Sequence, residues 1–132
     1  MEVKIDTKEK FTVVTPVLSE FSDNIAAEIA KICKEVLQKP VKNLILNLQN
    51  VTSINEPAAS VLSDLQQNYY EHNASFVICS LQDNVESSLD KMELLDMLNI
   101  TPTESEAWDI VQMEEIEREL LDSDDMEFGK QE

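Results

Sequence analysis

His72 is the single histidine in the chain, and Cys33 and Cys79 are its only thiols. Imidazoles and thiols are well suited to moving protons or attacking carbon near neutral pH, so a search for catalysis starts with these three. Their settings do not support it. His72 falls in the polar turn Glu71-His72-Asn73-Ala74, where a lone histidine is solvated. Cys33 and Cys79 both lie in apolar runs and are widely separated, which fits buried free thiols and makes neither a disulfide framework nor a metal motif. No G-x-S-x-G nucleophile turn is present. The only glycine is Gly129, so no glycine-rich loop can cradle a phosphate. The carboxylates lack the spacing of a calcium loop and read as a solvated acidic surface. No catalytic residue, metal site or cofactor is expected.

What remains is a stretch that could recognise rather than react, Leu44 to Leu62. Leu44-Ile45-Leu46-Asn47-Leu48 is short and almost wholly apolar, as in a central strand covered on both faces. From Ala58 the period changes. Ala58, Val61, Leu62, Leu65 and Tyr69 form one face of a helix expected from Glu56 to about Glu71. The loop from Ser53 to Pro57 is thereby placed at the carboxyl end of a central strand and the amino end of a helix, where open α/β sheets usually bind.

The elements that hold this stretch follow from the remaining pattern. Val3-Lys4-Ile5 and Phe11 to Thr15 read as an opening hairpin, and without glycine its turn should exceed two residues. Pro16 limits further pairing of the second strand. A helix is expected from about Asp23 to Gln38, capped by Ser22, Asp23 or Asn24, with Lys31, Lys34 and Lys39 suiting its carboxyl end and Pro40 stopping it. Val41 to Leu48 is the central strand, and Ser75 to Cys79 is a second continuous apolar strand. The helix between them makes a right-handed βαβ unit. A third helix opens at Gln82-Asp83-Asn84 and keeps its apolar spacing through Val85, Leu89, Met92 and Leu95 to about Leu98. Asn99 to Pro102 is a short extended piece. Thr103-Glu104-Ser105-Glu106 is a capping box before a last helix carrying Trp108, Val111, Ile116 and Leu120. The fold class is α/β: a mixed sheet with an amino-terminal hairpin, parallel βαβ strands and about four helices.

The length fits one domain, expected over residues 1–121, and the acidic stretch 122–132 is expected to be a disordered tail. A formal net charge of −17 argues against nucleic acid or an anionic membrane as partner. The start of the chain lacks a signal peptide's basic and apolar regions, and no apolar run is long enough to span a bilayer. A soluble, cytoplasmic protein is the expectation.

Two small α/β regulatory families can be tested against the central loop. A two-component receiver domain needs a phosphoacceptor Asp after a sheet strand, but the chain offers only Asn50 and Asn55 there. From Val3 to about Val111 the pattern instead resembles the STAS family, and within it the stand-alone anti-sigma-factor antagonists. There a strand of the form I-V-x-x-L is followed by a short loop and the motif D-S-[ST]-G-L at a helix start. Leu44 to Leu48, then Val51-Thr52-Ser53-Ile54, then Asn55-Glu56-Pro57-Ala58-Ala59 fit that frame without a gap. Ser22-Asp23-Asn24 falls where members often carry an Asp before the first helix, and Glu104 to Val111 resembles the closing helix.

The hallmark motif itself has changed. In the family, the resemblance implies, the first Ser of the motif is phosphorylated by a kinase that is also the anti-sigma factor, and phosphorylation releases that partner. The matching residue is Glu56, which has no hydroxyl to modify; Asn55 replaces the Asp, Pro57 the next hydroxyl residue, and Ala58 and Ala59 the Gly and Leu. Together these residues make a sound helix start, with Asn55 as cap, Glu56 at the positive end of the dipole and Pro57 in the first turn. Two readings of Glu56 stand. It holds the loop in a state like the phosphorylated form, or it is simply a good first-turn residue after the switch was lost. Ser53 and Ser60 are the hydroxyls left nearby.

The resemblance implies a non-enzymatic regulatory domain that binds a protein partner through Asp23, Asn24, Ser53, Asn55, Glu56, Pro57, Ala58 and Ala59. The implied partner class is an anti-sigma factor or a histidine-kinase-like ATPase. The alternative is a scaffold that assembles with itself or with other STAS domains through its sheet edge or helices.

Overall fold

A computed structural model describes residues 2–131, with side chains described through residue 120. The strands are β1 (Val3–Thr7), β2 (Phe11–Pro16), β3 (Glu20–Phe21), β4 (Asn43–Asn47), β5 (Ser53–Ile54), β6 (Phe76–Cys79) and β7 (Ile100–Thr101). The helices are α1 (Asp23–Val36), α2 (Glu56–Glu71), α3 (Asp83–Lys91) and α4 (Glu104–Gln131). The acidic tail expected over 122–132 lies outside the residues whose side chains are described.

Five strands form one sheet in the order β1-β2-β4-β6-β7, with β1 antiparallel to β2 and every other pair parallel. The expected hairpin is present, its turn made of Lys8, Glu9 and Lys10. Pairing of β2 ends at Pro16, opposite Val3. In β4 the residues from Asn43 to Asn47 are all buried, because helices cover both faces of the sheet. On one face Val14, Leu44, Leu46, Phe76 and Ile78 pack under Ile29, Cys33 and Val36 of α1 and under Leu62, Leu65 and Tyr69 of α2. On the other, Phe11, Val13, Ile45, Val77 and Cys79 lie under Ala107 and Val111 of α4. Full burial of each large side chain contributes roughly 1.5–3 kcal/mol.

The third helix is shorter than its apolar spacing suggests. It ends at Lys91, not near Leu98. The stop is a left-handed residue, Glu93 at φ 61°, after which Leu94 N–H donates to the Leu89 carbonyl and Glu93 N–H to that of Asp90. That pair of bonds is a Schellman cap, a place normally taken by glycine. The same cap ends α2, with Asn73 at φ 58° and Ala74 N–H donating to Tyr69. Asn tolerates that region, whereas Glu gains nothing from it. A Glu93→Gly substitution is therefore expected to stabilise the fold by about 0.5–1 kcal/mol, since a left-handed Cβ-bearing residue costs about 1–2 kcal/mol and glycine's added chain entropy offsets part of this. Urea denaturation measures it, and an unchanged or lower midpoint would contradict the assignment. Helix α1 likewise closes at Val36, earlier than Gln38, as Gln38 and Lys39 turn back onto Glu35 and Val36 with tighter bonds.

A surface formed by two helix starts

The chain leaves β4 through a tight polar turn. Gln49 N–H donates to Asn47 Oδ1 at 2.9 Å, and Val51 N–H to the Leu48 carbonyl at 3.0 Å. Leu48 and Val51 are fully buried and anchor the turn. Thr52 and Ser53 N–H groups then both reach the Ser19 carbonyl, at 2.8 and 3.1 Å, and Thr52 Oγ1 joins them at 3.2 Å. This begins a separate two-stranded parallel sheet in which Glu20 faces Ser53 and Phe21 faces Ile54. Phe21 and Ile54 are buried beneath it, and Asn55 N–H completes it by donating to the Phe21 carbonyl at 3.3 Å.

The small sheet has a direct geometrical consequence. Helix α1 starts immediately after β3 and α2 immediately after β5, so the pairing sets their amino ends side by side. Ser22 occupies the cap position of α1 without a side-chain cap bond, which places Asp23 and Asn24 in the first turn. Asn55 caps α2, its Oδ1 accepting the Ala58 N–H at 3.0 Å. Glu56 and Pro57 follow in the first turn. Glu20, Ser22, Ser53 and Asn55 rim a shallow depression floored by Phe21 and Ile54.

Of the residues expected to meet a partner, Asp23, Asn24, Ser53, Asn55, Glu56 and Pro57 are exposed, and the fold brings them together. Ala58 and Ala59 are fully buried, with their methyl groups in the core under α2. Of the two hydroxyls nearest the motif, Ser53 is exposed on β5 and Ser60 is exposed on α2. The carboxylates of Asp23 and Glu56 each sit at the positive end of a helix dipole, worth about 0.3–1 kcal/mol apiece. With Glu20 beside them they give the surface a negative face. It offers hydrogen-bonding groups and charge to whatever meets it.

Residues considered for chemistry are elsewhere. His72 is an exposed cap at the far end of α2, its Nδ1 2.7 Å from the Asn68 carbonyl. Both thiols are buried; burial, partly offset by the nearby Tyr69 hydroxyl, pushes Cys33 up to about 12, and burial pushes Cys79 up to about 11. Among the described residues, no three His, Cys, Asp or Glu side chains gather as metal ligands would, and no helix is long and apolar enough to cross a membrane.

The small sheet had no sequence signal beyond two isolated apolar residues, Phe21 and Ile54, in polar surroundings. A polar cluster at the opposite end of the strands also went unforeseen. Asn43 Oδ1 accepts from Ser75 N–H at 2.8 Å and from Arg118 at 3.1 Å, while Arg118 also reaches Ser75 Oγ at 3.2 Å. Glu114 accepts from Ser75 Oγ and from the Tyr70 hydroxyl, and Tyr70 accepts from Asn99 at 2.6 Å. Burial first, and then the Glu114 carboxylate, hold the Tyr70 hydroxyl well above the ordinary phenol range. These bonds clamp α4 across the sheet.

The STAS domain profile matches residues 2–107. No curated protein sequence matches the chain significantly. Among solved structures, it is similar to a putative anti-sigma factor antagonist from Thermotoga maritima, at 22% identity and a TM-score of 0.74, over 83% of this chain and 94% of that one. It is also similar to an anti-sigma factor antagonist from Mycobacterium paratuberculosis, at 14% identity and a TM-score of 0.71, over 84% and 93%. A third likeness is to a serine-to-glutamate variant of RsbS from Moorella thermoacetica, at 15% identity and a TM-score of 0.70, over 85% and 96%. At these identities the three structures establish the fold.

Proposed function

Because this chain belongs to the STAS domain family, we propose that it is a non-enzymatic regulator that binds a protein partner through the paired starts of α1 and α2, with Glu56 standing in for the phosphorylatable serine. The supporting observation is the β3–β5 pair, which joins Asp23, Asn24, Ser53, Asn55, Glu56 and Pro57 into one exposed surface. The partner class is an anti-sigma factor or a histidine-kinase-like ATPase, as for antagonists of this fold. Glu56 carries one negative charge at the first turn of α2, where a phosphoserine would carry about −1.5 to −2. The Asn55 cap satisfies the Ala58 N–H whatever residue occupies position 56. The side chain at 56 is therefore free to act on a partner without disturbing the helix start. Glu56 is the permanent counterpart of the modified state, and the loop does not switch.

A pull-down from the native cell extract with the full chain and its Glu56→Ser variant tests this. Removing the charge should change the recovered amount of at least one bound protein roughly tenfold, equivalent to about 1.4 kcal/mol. An unchanged bound set together with a defined homo-oligomer would instead make the protein a scaffold. Phosphate mapped to Ser53 or Ser60 after incubation with a captured ATPase would overturn the non-switching reading.

A further inference from the structure

The outward face of α4 carries apolar residues that nothing described in the structure covers. Met113, Ile116 and Leu120 are 56%, 55% and 55% exposed. The inward face is already satisfied, with Ala107 and Val111 fully buried against the sheet and Glu114 and Arg118 held in the polar cluster. At 3.6 residues per turn, Met113, Ile116 and Leu120 fall within about 60° of one another and point directly away from the sheet. A surface helix ordinarily has one apolar stripe and a polar opposite face. This one has two.

The charges around the second stripe define what it fits. Exposed Glu106 and Glu117 flank it on one side; on the other lie exposed Gln112 and Glu119, with Glu115 and a single lysine, Lys10 of the hairpin turn, lining the same shallow groove beside Ile116. Between residues 104 and 120 there are seven carboxylates and a single basic residue, Arg118, which lies 3.6 Å from Glu115. A second copy of the same face would set these carboxylates against one another. We propose that this face is a docking stripe for a basic amphipathic helix of a protein partner, its apolar residues on Met113, Ile116 and Leu120 and its Lys or Arg residues on the flanking glutamates. The surface lies on the face of the sheet covered by α4, away from the paired starts of α1 and α2, so it is independent of the proposed regulatory site.

The test uses the full chain and a synthetic helix of about 15–18 residues with a leucine stripe flanked by lysines, compared with the same peptide carrying glutamate for lysine. Calorimetry should give a Kd on the order of 10 μM for the basic peptide, weakening severalfold between low and physiological salt, and no binding of the acidic one. Combining Ile116→Ser with Leu120→Ser should weaken binding at least tenfold. Combining Ile5→Ser with Met97→Ser, which removes apolar residues exposed elsewhere, should leave it unchanged. All four positions are exposed, and an unchanged melting temperature confirms that the variants fold. Equal loss in both double variants, equal binding of the acidic peptide, or a dimer of the wild type that Ile116→Ser dissociates would each overturn the proposal.

Discussion

Raising the pH from about 9 to about 11 is expected to destabilise this protein strongly, because two buried thiols resist ionisation. Cys33 is fully enclosed by α1 and α2, and its value is pushed from the ordinary 9.0 to about 12 by burial, partly offset by the adjacent Tyr69 hydroxyl. Cys79, fully enclosed under α4, is pushed to about 11, chiefly by burial and against the opposing effect of Ser80. In the unfolded chain both ionise near the ordinary value. Above it the unfolded state has released protons that the folded state still holds, so stability is full below about pH 9 and falls as pH rises. The slope is about 1.4 kcal/mol per pH unit for each thiol. Across the window the two together remove on the order of 4–5 kcal/mol, comparable with the whole stability of a modest domain. The buried Tyr69 hydroxyl, also raised by burial, acts in the same direction at the upper end. Urea midpoints measured from about pH 8 to about pH 11 should fall steeply for the wild type and much less for a Cys33→Ala, Cys79→Ala variant. A flat wild-type profile would show that the thiols are more hydrated than the packing implies.

Tyr69→Ala should cost about 3–5 kcal/mol, the range for emptying a fully buried aromatic site. Among the described residues Tyr69 is the largest completely buried side chain, and it joins three elements at once. It projects from α2, its ring meets Phe76 of β6 edge-on at a centroid distance of 5.3 Å, and its hydroxyl donates to the Cys33 carbonyl of α1 at 2.6 Å. Tyr69→Phe separates the contributions. That carbonyl also accepts the Leu37 N–H at 3.3 Å, so losing the hydroxyl does not leave it unpaired. The expected cost is about 0.5–1.5 kcal/mol, that of one net hydrogen bond. Chemical denaturation of the three proteins decides the matter. A Phe variant as unstable as the Ala variant would mean that the hydroxyl, rather than the ring, carries the site.

Much of this architecture is legible in the chain because burial imposes a period. The run from Leu44 to Leu48 announces a strand covered twice, and the spacing of Ala58, Leu62, Leu65 and Tyr69 announces the buried face of α2. That same spacing places Ala58 in the core, where the structure finds it together with Ala59. A family frame read along the chain marks positions rather than the direction in which each side chain points, so it groups both with the exposed part of the loop. Two features have no periodic signal. A two-residue strand such as β3 or β5 is too short to show alternation, and its partner lies more than thirty residues away. The end of α3 is hidden because Glu93 occupies a left-handed position that a glycine would have advertised. The cluster of Asn43, Ser75, Glu114 and Arg118 is invisible for a related reason, since Glu114 and Arg118 reach Asn43 and Ser75 only when α4 closes over the sheet.

The strand order β1-β2-β4-β6-β7 runs across the sheet in the order of synthesis. Each new strand adds to the outer edge of the one before it, and none must be threaded between two that have already paired. A chain emerging from the ribosome at about 5–20 residues per second can therefore lay down its sheet progressively from the hairpin outward, with α1 and α2 covering one side as they appear. The other side matures last. Until Ala107 and Val111 emerge and Arg118 reaches Asn43, the residues Phe11, Val13, Ile45, Val77 and Cys79 remain bare. The closing helix thus sets the moment at which the nascent domain stops presenting apolar surface to chaperones and to its neighbours.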